Sequence, residues 1–511
     1  MQLRDIKICA HRSLKRIKEF PVVCCFLSGL LLKFCFCKGR CLPILLIPSF
    51  AVLLYFVHVS TKWSRAFLYG YAFGFGYFFS TLYWVAESFK CVGLGNFGYI
   101  AVFALVVYIS IYPAFSCFTA KIFSKNKITL MIMFAIFWTL FEYVRGKLFT
   151  GFPWNLIGYA IYDIPYFSQI ADIFGIYGVS FFTLIILLFS TTKKTFYYAV
   201  SIFVLIFSYG YYKVNFYNGF VEHDNKILIT LIQPSISQED KMDINKFKSN
   251  INRQVGLSLR DTTEQQKIIV WAEAAINIPV NCGTNVLQYI THLINDPNTT
   301  IITGCDRRDE NGNLYNSAYV LNSQCEILQI YNKRHLLPFG EYIPNFLKSF
   351  GLGKVSQGVT NFSRGKSFRT ISIKNIEQFD LVICYEIAFP GEVIDSNHST
   401  WILNITNDAW FKNSDGPSQH LKISCFRAIE EGKSIARCAN NGISCFIDCF
   451  GKTHNRLYTD TIGTTSHLMP MKSQTTIFSR YHNKTILLLL GISFLICFIA
   501  QFTKIGREER I

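Results

Sequence analysis

The sequence predicts an α/β protein in two parts: a polytopic α-helical membrane domain of about eight spans and one large α/β domain. Two observations predict it. Apolar residues, 51% of the 511, are gathered in blocks rather than spread evenly, and the blocks are rich in the 48 Phe and 27 Tyr. Residues 222–478 instead alternate short apolar runs with polar, helix-like stretches, and roughly 250 residues suffice for one such domain. The formal net charge of +17 sits largely in short clusters flanking the apolar blocks. It reads as topology signals and contacts to anionic lipid, and no nucleic-acid motif or repeat is present.

Residues 1–19 carry Arg4, Lys7, Arg12, Lys15, Arg16 and Lys18 ahead of the first apolar block. With no small-residue cleavage site following, they predict a cytoplasmic basic arm rather than a removed signal. The membrane domain, 20–213, holds seven candidate spans near 20–37, 42–59, 66–85, 98–119, 128–149, 172–190 and 195–213. An eighth lies at 485–502, with a cytoplasmic tail at 503–511. Lys62, Arg65, Lys121, Lys125, Lys127, Lys193 and Lys194 fall in the loops this topology places inside, whereas Lys33, Lys38 and Arg40 run against it. The domain at 222–478 is then outside. Glu142 and Arg145, three apart, share a helix face and are placed to pair; the alternative is an interfacial anchor of aromatics and a snorkelling Arg. Within 222–478 the strand candidates are 227–232, 267–271, 300–303, 317–321, 327–330, 379–384, 401–405 and 444–447. The Gly-broken apolar stretch 346–353 reads as a flap touching the bilayer or as an ordinary loop.

Seventeen cysteines do not form a disulfide framework by spacing. Cys24, Cys25, Cys35, Cys37, Cys41, Cys117 and Cys497 lie in or beside apolar segments, where a thiol behaves as a small hydrophobe. Cys445 and Cys449 read as strand residues rather than metal ligands, and the remaining thiols of 222–478 as buried and free. No metal or cofactor is expected.

Chemistry is concentrated at three strand ends. Leu381-Val-Ile-Cys384-Tyr385-Glu386 delivers a thiol to the end of a buried strand, before the breaker Pro390-Gly391. Ile268-Ile-Val-Trp271-Ala-Glu273 delivers a carboxylate. The segment from Tyr331 to Pro344 supplies Lys333 and Glu341. Taken singly, a lone Cys is more often structural and a lone Glu or Lys a solvated charge. Together they supply a base, a cation and a nucleophile. Glu273 takes the thiol proton, Lys333 favours the thiolate, and Lys333 with the Tyr385 N–H stabilises an oxyanion. His335 and His420 lack ligand spacing and read as supporting hydrogen bonders or surface residues.

These residues resemble the nitrilase (carbon–nitrogen hydrolase) superfamily, and more specifically the bacterial apolipoprotein N-acyltransferase family. The matching stretches are Arg145-Gly-Lys-Leu-Phe-Thr-Gly-Phe-Pro-Trp154, Asn332-Lys-Arg-His-Leu-Leu-Pro-Phe-Gly-Glu-Tyr-Ile-Pro344, Ile383-Cys-Tyr-Glu-Ile387, Thr406-Asn-Asp-Ala-Trp-Phe411, Gly416-Pro-Ser-Gln-His420 and Arg437-Cys-Ala-Asn-Asn-Gly442. The resemblance implies a nitrilase-like α-β-β-α sandwich on the periplasmic side of the cell inner membrane. It implies an acyl chain passing from a phospholipid donor to a Cys384 thioester, then to the N-terminal amine of an S-diacylglyceryl-cysteine lipoprotein acceptor. It assigns Glu273, Lys333 and Cys384 to catalysis, and Glu341, Tyr385 and Glu386 to support of the site. The expected oligomeric state is a monomer. Met242 departs from the family, which commonly has Trp there, and bears on acyl-chain preference. Two rivals remain: a membrane-anchored amidase acting on a small soluble amide, and a membrane scaffold or transporter with an inactive domain, which intact Glu273, Lys333 and Cys384 disfavour.

Overall fold

The computed structural model describes residues 19–508, except 40, 92, 165, 261–264, 281–284, 344–360 and 396–397, with 502–508 as backbone only. The basic arm, apart from residue 19, and the 346–353 stretch lie outside the described residues.

Each predicted apolar block holds helix. Among the described residues, five helices are long and apolar enough to cross a membrane: Phe97–Ile122, Lys127–Arg145, Phe167–Phe189, Lys193–Asn215 and Lys484–Gln501. Pro21–Phe36 and Pro43–Val59 are apolar but shorter. Helix Trp63–Leu82 has the length, at 20 residues, but glycines and tyrosines dilute its apolar character. The glycines serve packing: a Cβ on Gly76 would stand 2.2 Å from the Phe26 carbonyl oxygen of the neighbouring helix. Small residues let backbones approach where lipid offers no hydrophobic drive between helices. Burial grades the bundle: 67% of the apolar window of Phe167–Phe189 is covered by protein, against 22% for Lys193–Asn215 and Lys484–Gln501. The first is central and the other two are peripheral.

Glu142 and Arg145 are both buried, which overturns the interfacial-anchor reading, and no direct pair forms between them. Arg145 Nη1 donates to the Trp154 carbonyl at 2.9 Å, and Glu142 Oε1 accepts from the Ile157 N–H at 2.9 Å. Both charges thus shape the loop that follows their helix.

The second part contains strands β1 (Ile227–Gln233), β2 (Lys267–Trp271), β3 (Ile276–Val280), β4 (Thr299–Arg308), β5 (Leu314–Leu321), β6 (Ile327–Asn332), β7 (Thr370–Ile371), β8 (Phe379–Ile383), β9 (Trp401–Thr406), β10 (Ser434–Ala439), β11 (Ser444–Ile447), β12 (Thr453–Leu457) and β13 (Gly463–Met469). One sheet runs β13-β1-β2-β4-β5-β6, with β3 beside β4; the other runs β12-β11-β10-β9-β8-β7. Their centres, β1-β2-β4 and β8-β9-β10, are parallel and their flanks antiparallel. The period of two decides the faces. Ile227, Ile229 and Leu231 meet Leu381, Ile383, Leu403 and Ile405 between the sheets. Ile232, Ile269 and Trp271 turn outward toward helices Phe247–Ser258 and Asn285–Ile294. Val382, Ile402 and Ile435 turn to the opposite side, into a core continuous with the membrane helices. Helix Gly416–Glu431 lies in that layer, buried nearly throughout. Gln419 Nε2 donates to the Phe36 and Thr81 carbonyls at 3.0 and 3.2 Å, and Glu430 accepts from the Ile176 N–H at 2.7 Å.

The expected strands are present, and the structure adds β3, β7, β10, β12 and β13. β3 carries Pro279, β12 and β13 are polar, and β10 buries Arg437, so none of these shows a clean apolar run. Among the described residues, no two cysteines are joined by a disulfide.

Candidate active site

Parallel strand centres place their carboxyl ends on one edge, where a βα turn can present a side chain. Glu273 follows β2, Lys333 follows β6, Cys384 follows β8 and Asn407 follows β9. Cys384 opens a short 3₁₀ turn, Cys384–Ala388, with φ of +51°. A residue with a Cβ resists that left-handed conformation, and such strain clusters at functional sites. The thiol is half-buried.

Lys333 is buried and shared by two carboxylates, with Nζ 3.2 Å from Glu273 Oε1 and 3.0 Å from Glu341 Oε1. Asn316 Nδ2 donates to the same two oxygens, 2.8 Å from each. The Asn407 N–H donates to Glu273 Oε2 at 2.9 Å, and the Leu337 N–H to Glu341 Oε2 at 2.7 Å. Lys241 Nζ holds the Glu273 main-chain oxygen at 3.1 Å. Beneath it, β4 needs a glycine: a Cβ at Gly304 would stand 2.5 Å from the Ala272 oxygen and 2.7 Å from Glu273 Cα. Burial alone would drive the Lys333 ammonium toward neutrality, but Glu273 and Glu341 raise it well above its ordinary value. Burial, then Glu273, push the Cys384 thiol up, against Lys333 and the Thr406 hydroxyl. Lys333 by itself favours the thiolate. In the folded site burial and the carboxylate outweigh it, so the resting group is a thiol.

Glu341 is thus bound to both Lys333 and Asn316. Glu386 is farther back. Its Oε1 accepts from the Arg334 and His335 N–H groups at 2.8 and 3.1 Å, and its Oε2 from the Ile383 N–H at 2.8 Å. The Tyr331 hydroxyl lies 2.8 and 2.9 Å from the two oxygens. Glu386 clamps the Lys333 segment to the Cys384 strand without facing the thiol's partners. Tyr385 faces the membrane domain: its hydroxyl donates to the Gly151 carbonyl at 3.0 Å. His335 Nε2 lies 2.9 Å from the Thr150 oxygen, with its ring 3.6 Å from that of Phe389. Trp154 Nε1 donates to Gln419 Oε1 at 2.8 Å. The loop after helix Lys127–Arg145 is therefore packed directly on the thiol-bearing turn. Met242 ends the short helix Gln238–Met242, next to Lys241, and is half-buried.

Sequence reasoning missed Asn316, Lys241, the Asn407 N–H and the buried Asp408. Asn316 and Ser317 are an adjacent buried polar pair in an otherwise largely apolar strand, which is the available signal. Among the described residues no group of three or more His, Cys, Asp or Glu is placed to hold a metal ion.

Comparison with known proteins follows the same division. A family model described as the apolipoprotein N-acyltransferase N-terminal domain matches residues 28–189, and one described as carbon-nitrogen hydrolase matches 229–474. The apolipoprotein N-acyltransferase of Rickettsia typhi is 34% identical over 484 residues, covering 91% of this chain and 95% of the relative. That of Rickettsia bellii is 34% identical over 512 residues, covering 96% and 99%. That of Brucella melitensis is 29% identical over 422 residues, covering 78% and 79%. Among solved structures, Saccharomyces cerevisiae Nit3, of the nitrilase superfamily, aligns with 48% of this chain and 89% of its own, at 19% identity and TM-score 0.36.

Proposed function

The chain belongs to the apolipoprotein N-acyltransferase family, and from that premise we propose how its own residues carry out the transfer. The protein is an acyltransferase of lipoprotein maturation, and the soluble-amidase and scaffold readings give way to that one. The donor is a membrane phospholipid, and the acceptor is the amine of an S-diacylglyceryl cysteine.

As the Cys384 sulfur bonds to the donor's ester carbonyl, the thiol proton passes to Glu273. The carbonyl electron pair moves onto oxygen, where Lys333 and the Tyr385 N–H stabilise it. The ester C–O bond then breaks, and the departing lysophospholipid oxygen takes the proton from Glu273. In the second half the acceptor amine attacks the thioester carbonyl and yields a proton to Glu273. The C–S bond breaks, the sulfur recovers that proton, and an amide remains. Glu341 and Asn316 hold Glu273 and Lys333 in register throughout, while Glu386 and Tyr385 hold the thiol-bearing turn against the strand end and the membrane loop.

One observation carries the reading: the ion-paired Glu273 and Lys333 stand with a half-buried, strained thiol on a turn packed against a loop of the membrane domain. Both substrates keep their tails in the bilayer, so a thiol at that junction turns a dilute encounter into a local one and keeps water from the thioester. The arrangement we propose has a cytoplasmic arm at 1–19, seven spans within 20–213, the catalytic domain at 222–478 on the periplasmic side of the inner membrane, an eighth span at 485–502 and a cytoplasmic tail at 503–511, acting as a monomer. Basic residues concentrated in the loops placed inside support it.

The test is to mix the purified protein with acyl-labelled phospholipid and no acceptor, then read the Cys384 peptide by mass spectrometry. A hydroxylamine-sensitive acyl adduct, absent in Cys384→Ala, is expected. A folded protein with reduced Cys384 and no adduct would overturn the phospholipid-to-thioester step.

A further inference from the structure

The main-chain oxygen of Cys384 has a partner that the transfer chemistry leaves unused. His420 is buried on helix Gly416–Glu431. Its Nδ1 lies 2.9 Å from Asp408 Oδ1 and its Nε2 3.3 Å from the Cys384 carbonyl oxygen. Asp408, itself buried, is held in turn: Arg437 Nη2 donates to Oδ2 at 2.8 Å and Thr406 Oγ1 to Oδ1 at 3.2 Å. The Trp154 ring, from the membrane loop, stands 5.3 Å from the imidazole. The ring therefore has little freedom to turn. Both of its polar neighbours are acceptors, a carboxylate and a carbonyl. It makes both bonds at once only when both nitrogens carry protons. A neutral ring keeps the Asp408 bond and turns a lone pair toward the carbonyl.

We propose that His420 is a positioning residue for the nucleophile: its Nε2–H grips the Cys384 carbonyl and holds the strained turn that aims the next N–H, of Tyr385, at the developing oxyanion. This rests on Cys384 being the nucleophile. The charged and titratable groups facing the ring are Asp408 on the turn after β9 and Arg437 on β10, with the Cys384 carbonyl on Nε2. Glu273 and Lys333 act on the Cys384 thiol from beyond it. Burial, then Arg437, hold the imidazole below its ordinary pKa against the pull of Asp408. The doubly protonated ring, and the grip with it, therefore declines as pH rises through that depressed value.

The experiment uses the purified full chain and a p-nitrophenyl ester, whose acyl carbon bonds to the Cys384 sulfur as nitrophenolate leaves. Acylation is read as the nitrophenolate burst and as the mass of the Cys384 peptide. Alkylation of Cys384 by iodoacetamide runs in parallel, since it needs the sulfur but no oxyanion site. At the acid end of the range, about pH 5, where the doubly protonated ring is most populated, His420→Ala is expected to slow acylation on the order of tenfold while changing alkylation less than about twofold. His420→Gln, whose amide N–H reaches the carbonyl without titrating, recovers most of the rate. The ratio of wild-type to His420→Gln acylation falls as pH rises from about 5 to 8. Unchanged acylation in His420→Ala, or acylation and alkylation falling together in both variants, overturns the proposal. So does a ratio flat with pH, a readout that needs only the Gln variant to fold. Wild-type protein acylated by the nitrophenyl ester but not by phosphatidylethanolamine vesicles refutes the phospholipid donor and leaves the His420 role standing. Wild-type protein acylated by neither refutes both.

Discussion

Glu386→Gln tests how the lysine segment and the thiol-bearing turn are held together. The carboxylate is fully buried, with Arg369 Nη2 3.6 Å from Oε1. It accepts from three backbone N–H groups, those of Arg334, His335 and Ile383, and from the Tyr331 hydroxyl. Gln has the same shape but one acceptor oxygen. In its better orientation the oxygen keeps Arg334 and His335, and the amide NH₂ faces the Ile383 N–H, leaving that donor without a partner. The Tyr331 hydroxyl turns to accept. An orphaned buried donor costs about 1–3 kcal/mol, and weakening the charge-assisted bonds adds about 1 kcal/mol more. A total of about 2–4 kcal/mol lowers Tm by roughly 5–15 °C for a domain of this size. Thermal unfolding of the purified chain measures the shift, and the Cys384 acylation burst well below Tm measures the loosened site, expected slower. Tyr331→Phe is the companion, losing about 1 kcal/mol. A Glu386→Gln protein melting within about 2 °C of wild type would refute the clamp.

Lys333→Met removes the cation shared by Glu273 and Glu341. Acylation should fall by about 10²–10³ from loss of the oxyanion donor, and a burst rate within tenfold of wild type would exclude that role. Gly304→Ala forces a Cβ against backbone at Ala272, Glu273 and Ala274. The expected cost is about 1–3 kcal/mol, with acylation reduced beyond what the stability loss explains. Normal kinetics would mean that the Glu273 backbone shifts freely. Asp306 is raised to about 7 by burial first, then by Glu341 and Glu273 against Lys241. The folded state therefore holds a proton that the unfolded chain loses near pH 3.9. Stability from this group is full below that value and declines as pH climbs toward 7. Asp306→Asn should flatten the dependence of Tm on pH between about 4 and 7, and an unchanged slope would exclude Asp306 as its source.

The chain's two-part character and most strands of the sandwich were legible in the sequence, because helix and strand periods are written in residues one to four apart. The runs ending in Trp271 and Ile383 announce strands by their own apolar character, and each is followed closely by a reactive group. That is why Glu273 and Cys384 could be named from sequence. The polar β12 and β13 were invisible because they pair by backbone hydrogen bonds rather than by apolar burial on both faces. Helix Gly416–Glu431 carries Arg427, Glu430 and Glu431, yet all three are buried, because the helix is covered by a sheet on one side and by membrane helices on the other. Helix Trp63–Leu82 hides in the opposite sense, its glycines marking close packing rather than a break.

The sequence by itself determined which side chains were available for chemistry and which segments were strand, helix or membrane-compatible. Tertiary structure decided who meets whom. Asn316 reaches Glu273 across 43 residues of chain, Lys333 reaches it across 60 and the Asn407 N–H across 134. Trp154 reaches Gln419 across 265. The physical reason is separation: local pattern reports a residue's neighbours along the chain, whereas the protonation of Cys384 and the ion pairing of Lys333 depend on burial and charges brought together only when two sheets and a membrane bundle close around them.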